Sequence, residues 1–218
     1  FFLVEIDPGL VKLLNKKYHP DGLKILNVDF LKLNLEEILP QDKSAAFIGN
    51  LPYHCATPIL KKILSVENFS FAVLMFQKEV AIKIAAKPGD SGYGLLSVLV
   101  QAKSEVFNVL NVPRKNFTPV PDVDSCVLVF KKRKNLFSDE VEENKFAKLV
   151  KLAFSCRRKT ILNSLLNSLP CNVAVGFSLR SKEELKKILL DCSIDPNLRP
   201  QNLNLDDFLR LLKYFKNV

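Results

Sequence analysis

The hydrophobic positions of this chain fall into two regimes. Through the first 130 residues, short apolar runs rich in β-branched and aromatic residues alternate with segments of helical period. "FFLVEI" predicts a strand, "PGLVKLLNKK" a helix with proline in its first turn, and "LKILNV" and "AAFIGN" two further strands. "TPILKKILS" then reads as a short helix, "FSFAVLMF" as a strand, and "QKEVAIKIAAK" as a helix running to Pro88-Gly89. After another short helical stretch, "AKSEVFNVL" and "DSCVLVFKK" predict two late strands able to close the sheet as an antiparallel pair. The proline-punctuated "NVPRKNFTPVPDV" between them is too rigid for a random linker. From Glu140 the strand pattern gives way to helical period in "ENKFAKLVKLAF", "RKTILNSLLNSL", "SKEELKKILLD" and "NLDDFLRLLKYF", with Ser181 and Asn204 as N-caps of the last two.

The β-α-β rhythm implies an α/β fold: an open, mostly parallel sheet with helices on both faces, late antiparallel strands, and a small all-α unit after it. The composition shift at "KKRKNLFSDE", near Lys131 to Ser138, places the boundary, giving units 1–134 and 135–218. With 218 residues, 48% of them hydrophobic, the chain can bury a sizeable core. Apolar runs such as "FAVLMF" stop far short of the roughly 20 residues a bilayer span needs, so no membrane segment is expected. The chain opens on Phe1 and its only methionine is Met75, from which a preceding segment is expected. The five cysteines, Cys55, Cys126, Cys156, Cys171 and Cys192, show no paired short spacing. They read as reduced thiols of a cytoplasmic protein, without a disulfide framework or metal.

Charge sharpens the picture. Residues 1–130 carry 14 basic and 13 acidic side chains, residues 131–218 carry 18 and 10, and so nearly all of the net +9 lies in the helical part. A polyanionic partner is the physical implication. Lys131, Lys132, Arg133 and Lys134 form a basic cluster at the linker, read as a phosphate contact. Arg157, Arg158 and Lys159, at the start of a predicted helix, are suited either to phosphates or to ion pairs between the two units.

Candidate chemistry gathers at strand ends, the edge where open parallel sheets bind ligands. Glu5 ends the first strand, Asp29 the second and Asn50 the third. An acidic residue at such an end accepts hydrogen bonds from ribose hydroxyls in nucleotide-binding sheets. Asn50-Leu51-Pro52-Tyr53 follows an apolar strand with a carboxamide, a carbonyl fixed by proline, and an aromatic ring. The two oxygens can accept hydrogen bonds from an aromatic amine and draw its lone pair out of conjugation, while the ring offers a stacking face. That set suits transfer of an electrophilic methyl group to an exocyclic amine, for which no strong base is required. His54 and His19 read as structural or solvated, His19 in a turn with Pro20.

In these residues the chain resembles the KsgA-type rRNA adenine N6,N6-dimethyltransferases. The resemblance runs through "VEID" at 4–7, "NVDFL" at 27–31, "IGNLPYHCATPIL" at 48–60, "FQKEVAIKIAAKPGDSGYGLLSVLVQ" at 76–101, "FTPVPDVDSCVLVF" at 117–130 and "AFSCRRKTILNSL" at 153–165. It implies a Rossmann-like methyltransferase using S-adenosylmethionine to dimethylate two adjacent adenines near the 3′ end of small-subunit rRNA. The protein is then expected to act as a cytoplasmic monomer on the immature small subunit. By the same resemblance Glu5 is the cofactor-ribose ligand and Ile6 packs on the cofactor adenine. Asp29 with the backbone of Phe30 reads that adenine's amine edge. Asn50, counted in both the cofactor and catalytic sets, holds the target N6 with Leu51 and Pro52. Tyr53 stacks on the target base, and Phe117 closes over its other face. The extruded adenine would lie between two rings. The glycine-rich cofactor loop and basic leader of such proteins have no counterpart in this sequence, so the chain by itself is expected to be inactive. Three other readings stay open: a large-subunit rRNA adenine methyltransferase, a non-catalytic RNA- or DNA-binding relative, and a Rossmann dehydrogenase.

Overall fold

In the computed structural model, residues 1–18, 20–40, 42–168 and 182–215 are described; the readings of His19, Cys171 and Ser181 lie outside them. Strands β1 (Phe2–Glu5) and β2 (Lys24–Asn27) pair in parallel, from Phe2↔Lys24 to Glu5↔Asn27. Helix α1 (Pro8–Lys17) connects them. It begins where the sequence says it should: Asp7 accepts from the amides of Gly9 (2.6 Å) and Leu10 (3.1 Å), and Pro8 fills the first helical position. The four-residue helix α2 (Leu35–Ile38), capped by Asn34, has too little periodicity to be anticipated.

A second ladder holds β3 (Ala45–Asn50), β4 (Phe69–Gln77), β5 (Ser104–Val112) and β6 (Ser125–Lys132), in the order β3-β4-β6-β5. β3 runs parallel to β4, and β6 inserts between β4 and β5, antiparallel to both. The α/β architecture with late antiparallel strands is therefore present, with β5 at the edge. Lys131 and Lys132 are the last residues of β6, so the linker begins at Arg133 and takes only half of the basic cluster assigned to it.

Helix α3 (Ala56–Leu64) buries Ala56, Ile59, Leu60, Ile63 and Leu64, the i, i+3, i+4, i+7, i+8 stripe of an amphipathic helix. These meet Ala72, Leu74 and Phe76 of β4 and Leu128 and Phe130 of β6 in one core. Each leucine, isoleucine or phenylalanine among them contributes roughly 1.5–3 kcal/mol of burial. On the opposite face Ile48 (84% exposed), Phe71 and Phe107 remain exposed, so helical cover on both faces is not seen among the described residues.

The helices α6 (Glu140–Ala153), α7 (Ile161–Ser168), α8 (Lys182–Asp191) and α9 (Leu205–Leu212) form a second core. α9 opens with the expected cap: Asn204 accepts from the amide of Asp207 and Asp207 returns the bond. This core does not stop at residue 135, for it takes in Ala86, Tyr93, Val98 and Ala102. The last two belong to α5 (Leu95–Lys103), whose Val100 faces the sheet core instead. Helix α4 (Lys78–Ala85) precedes α5, and Gln101 ties the two by donating to the carbonyls of Ile84 and Ala86.

Candidate active site

The strand ends converge as their register dictates. Asn50 closes β3 opposite Met75, and two residues further Gln77 closes β4 opposite Ser125. Ser125 opens β6 and also faces Val112, the last residue of β5. The carboxyl ends of β3, β4 and β5 and the amino end of β6 thus share one edge, from which the 51–55 turn and the 113–124 loop rise.

Asn50 is exposed, and among the described residues its carboxamide makes no hydrogen bond. It points away from the interior, free to accept. Leu51 instead turns back onto the sheet core. Gly49 makes that possible: a Cβ there would stand 2.8 Å from Leu51 Cδ2 and 3.3 Å from Leu74 Cδ2. The glycine within "FIGN" is thus a position of close approach, a signal present in the sequence though not assigned a role above. The carbonyl of Pro52 accepts the amide of Cys55 at 3.1 Å, closing the turn that leads into α3.

Tyr53 is half-buried, and its hydroxyl lies 2.7 Å from Ser125 Oγ. Ser125 is fully buried. Phe117, also half-buried, follows a single 3-10 turn, Arg114–Asn116, and its amide donates to Arg114 O. No ring contact joins Tyr53 to Phe117 directly; what the two share is the edge that carries them.

The other expected residues lie around β1 and β2. Glu5 ends β1, whereas Asp29 sits two residues past β2. Each uses one carboxylate oxygen locally, Glu5 Oε1 on the amide of Asp7 and Asp29 Oδ1 on that of Leu31, both at 2.9 Å. Among the described residues no hydrogen bond is made by the second oxygen of either. Asn27 donates to the carbonyls of both Glu5 and Ile6 at 3.0 Å, fixing the backbone as it leaves β1; nothing in its spacing marked it for this. Ile6, next to Glu5 in the chain, is 62% exposed. The ring of Phe30 packs edge-on against Phe47, 6.5 Å between centroids, under the Lys62 ammonium. Lys62 also donates to the carbonyls of Leu31 and Leu33, which binds this loop to α3. Phe30 therefore has its side chain committed to packing and only its backbone to offer.

The basic residues divide. Arg157 sits in the turn before α7 and donates to the carbonyls of Tyr93 (2.8 Å) and Ser91 (3.2 Å). It joins the two halves through carbonyl oxygens rather than the carboxylate expected of an ion pair. Lys132 donates to the carbonyl of Glu67, and the Arg133 amide to that of Lys103 at 3.0 Å. Lys131, Lys134, Arg158 and Lys159 are exposed. Among the described residues no group of His, Cys, Asp and Glu could hold a metal ion, and no helix is long and apolar enough to cross a membrane. Cys55, Cys126, Cys156 and Cys192 are free thiols.

Comparison with known proteins bears on this arrangement. The family model described as ribosomal RNA adenine dimethylase matches residues 1–214. The chain is 38% identical over 216 residues to the ribosomal RNA small subunit methyltransferase A of Bacillus cytotoxicus, covering 95% of this chain and 71% of that protein. It is 36% identical to the Geobacillus sp. protein of the same name, with 98% and 74% covered. Among solved structures, a dimethyladenosine transferase from Plasmodium falciparum superposes with a TM-score of 0.79 at 27% identity. The 23S rRNA methyltransferase ErmE does so with 0.70 at 26%. Each alignment covers 98% of this chain and 81% of the other.

Proposed function

The chain belongs to the ribosomal RNA adenine dimethylase family, and from that premise we propose that it dimethylates N6 of two adjacent adenines near the 3′ end of small-subunit rRNA. The observation that carries this reading is the outward, unpartnered carboxamide of Asn50 at the end of β3, beside a tethered Tyr53. The small-subunit choice is supported by relatives at 36–38% identity that bear that name, against 26% for the large-subunit ErmE.

The residues present fit S-adenosylmethionine. Glu5 and Asp29 each hold a carboxylate oxygen open for hydroxyl or amine donors, and Ile6, next to Glu5 in the chain, offers apolar surface. In this reading Glu5 holds the ribose, Asp29 and the Phe30 backbone read the adenine edge, and Ile6 packs on that ring. When bound, the cofactor supplies an electrophilic methyl group on a sulfonium. Asn50 Oδ1 and the Leu51 carbonyl accept the two N–H groups of the target amine, favouring a pyramidal nitrogen whose lone pair is localised and out of conjugation with the ring. Pro52 holds that carbonyl in place, and Tyr53 and Phe117 bracket the extruded base. Once methylated, the nitrogen is cationic and releases its proton to water, so no side chain need act as base.

Methyl transfer belongs to unit 1–134, and RNA gripping to unit 135–218 together with the basic residues that end the first unit. Lys131, Lys132, Arg133, Lys134, Arg158 and Lys159 meet phosphates, and recognition of the RNA is by shape and backbone. Arg157, held on two carbonyls, braces the junction. The protein works as a cytoplasmic monomer on the immature small subunit.

The test is transfer of labelled methyl by full-length protein to unmethylated small- and large-subunit particles in parallel. Transfer is expected on the small subunit only, with Asn50→Ala reducing it more than about 100-fold, on the order of one preorganised polar contact at a transition state. Transfer confined to the large subunit, or an Asn50→Ala variant of normal turnover, would refute the assignment.

A further inference from the structure

The two aromatic residues of the site come from segments more than sixty residues apart in sequence and do not touch, so something else must fix their relation. Two adjacent residues outside the site do so. Ser125, fully buried, places its hydroxyl 2.7 Å from the Tyr53 hydroxyl. Its backbone is clamped between β4 and β5 by the Gln77 and Val112 registers, so it is a fixed post and Tyr53 the arm tied to it. Asp124, immediately before, acts on the other segment. Its Oδ1 accepts the amide of Arg114 at 3.0 Å, capping from ten residues away the 3-10 turn whose flanking Pro113 offers no side-chain cap. Arg114 in turn accepts the amide of Phe117 at 3.2 Å. Arg114 Nη1 closes the loop on the carbonyl of Asp122, and the Asp124 carbonyl accepts the Lys78 amide at 2.9 Å, anchoring the dipeptide to the start of α4.

We propose that Asp124 and Ser125 are positioning residues that set the two aromatic walls relative to each other, Ser125 through the phenol of Tyr53 and Asp124 through the turn that presents Phe117. The proposal rests on the methyl-transfer reading above. A ring held at both ends is already oriented when the base arrives, so its ordering entropy is not charged to the reaction. Neither residue touches substrate. Loss of either loosens a wall without removing it.

The experiment combines substrate-free and catalytic readouts on full-length protein. The protein is labelled with 3-fluorotyrosine, and the Tyr53 fluorine resonance is identified by its disappearance in Tyr53→Phe. Ser125→Ala is expected to shift or broaden that resonance with no RNA present. In methyl transfer, Ser125→Ala and Tyr53→Phe should each lower kcat/KM about 3- to 10-fold, the size of one neutral hydrogen bond. The loss should fall on kcat rather than KM, because the rest of the RNA is bound elsewhere. The double variant should lose no more than the worse single. Asp124→Ala should lose a similar factor, and Asp124→Asn, which keeps the acceptor oxygen, should recover it. An unmoved Tyr53 resonance in Ser125→Ala, additive losses in the double variant, or equal losses in Asp124→Ala and Asp124→Asn would overturn the proposal. Wild-type protein inactive on both particles would instead overturn the functional reading, leaving the fluorine spectra to decide the role of Ser125.

Discussion

Replacing Gly49 with alanine adds one methyl group at the point where the sheet is most crowded beneath the site. That carbon would lie 2.8 Å from Leu51 Cδ2 and 3.3 Å from Leu74 Cδ2. Leu74, 1% exposed in the middle of β4, has nowhere to go. Leu51 is only partly buried and must turn outward, drawing with it the peptide that carries both proposed amine acceptors. Overpacking of this kind costs about 1–3 kcal/mol, and because the nearest clash is the far end of a flexible side chain the lower part, about 1–2 kcal/mol, is expected. Displacement of the acceptors should reduce kcat by about 10-fold or more, since an error of one ångström at a reacting group costs on the order of 100-fold. Urea unfolding and single-turnover methyl transfer measure the two effects. The cause is isolated by repeating the substitution in a Leu51→Ala background, where the 2.8 Å clash is gone, only the 3.3 Å approach to Leu74 remains, and most of the added stability cost should vanish. Additivity of the two changes to within about 0.5 kcal/mol would refute the reasoning.

Two further outcomes follow from the geometry. Arg157→Ala should lower unfolding free energy by about 1–2 kcal/mol, the loss of charged donors from a partly solvated site, while leaving the salt dependence of RNA binding unchanged; a salt slope reduced by about 1 would make Arg157 a phosphate contact instead. Burial pushes the Tyr93 phenol up from an ordinary value of 10.0 to about 12, with the Asp207 carboxylate adding to the shift. Its neutral form is favoured in the folded state, so the associated stability is complete below about pH 10 and is lost as the pH rises to about 12. The loss stays below about 3 kcal/mol, because solvent screening reduces what the shift alone would give. Unfolding curves from pH 9 to 12 should show that decline in the wild type and a shallower one in Tyr93→Phe.

The elements were legible where local chemistry agreed with the fold. Asp7-Pro8 announces α1, the stripe in 56–64 announces α3, and β3 ends at Asn50 as its apolar run does. Pairing is less legible than propensity: "DSCVLVFKK" marks a strand through Lys132, but nothing in it says that the strand will lie between β4 and β5. The site shows the same division. Asn50, Tyr53, Glu5 and Asp29 are singled out by residue type and position. Ser125, Asp124 and Asn27 are not, because the hydrogen bonds that distinguish them run to partners ten or more residues away. Arg157 is suited by type to phosphate or carboxylate, and only the fold shows that two carbonyl oxygens lie within its reach.

Helix α5 is shared property. Val98 and Ala102 belong to the helical core and Val100 to the sheet core. Its last residue, Lys103, reaches across to Glu143 of α6 at 2.6 Å and is followed without a break by the first residue of β5. The two cores thus share one helix, which runs on into β5, the strand that leads to the loop bearing Phe117.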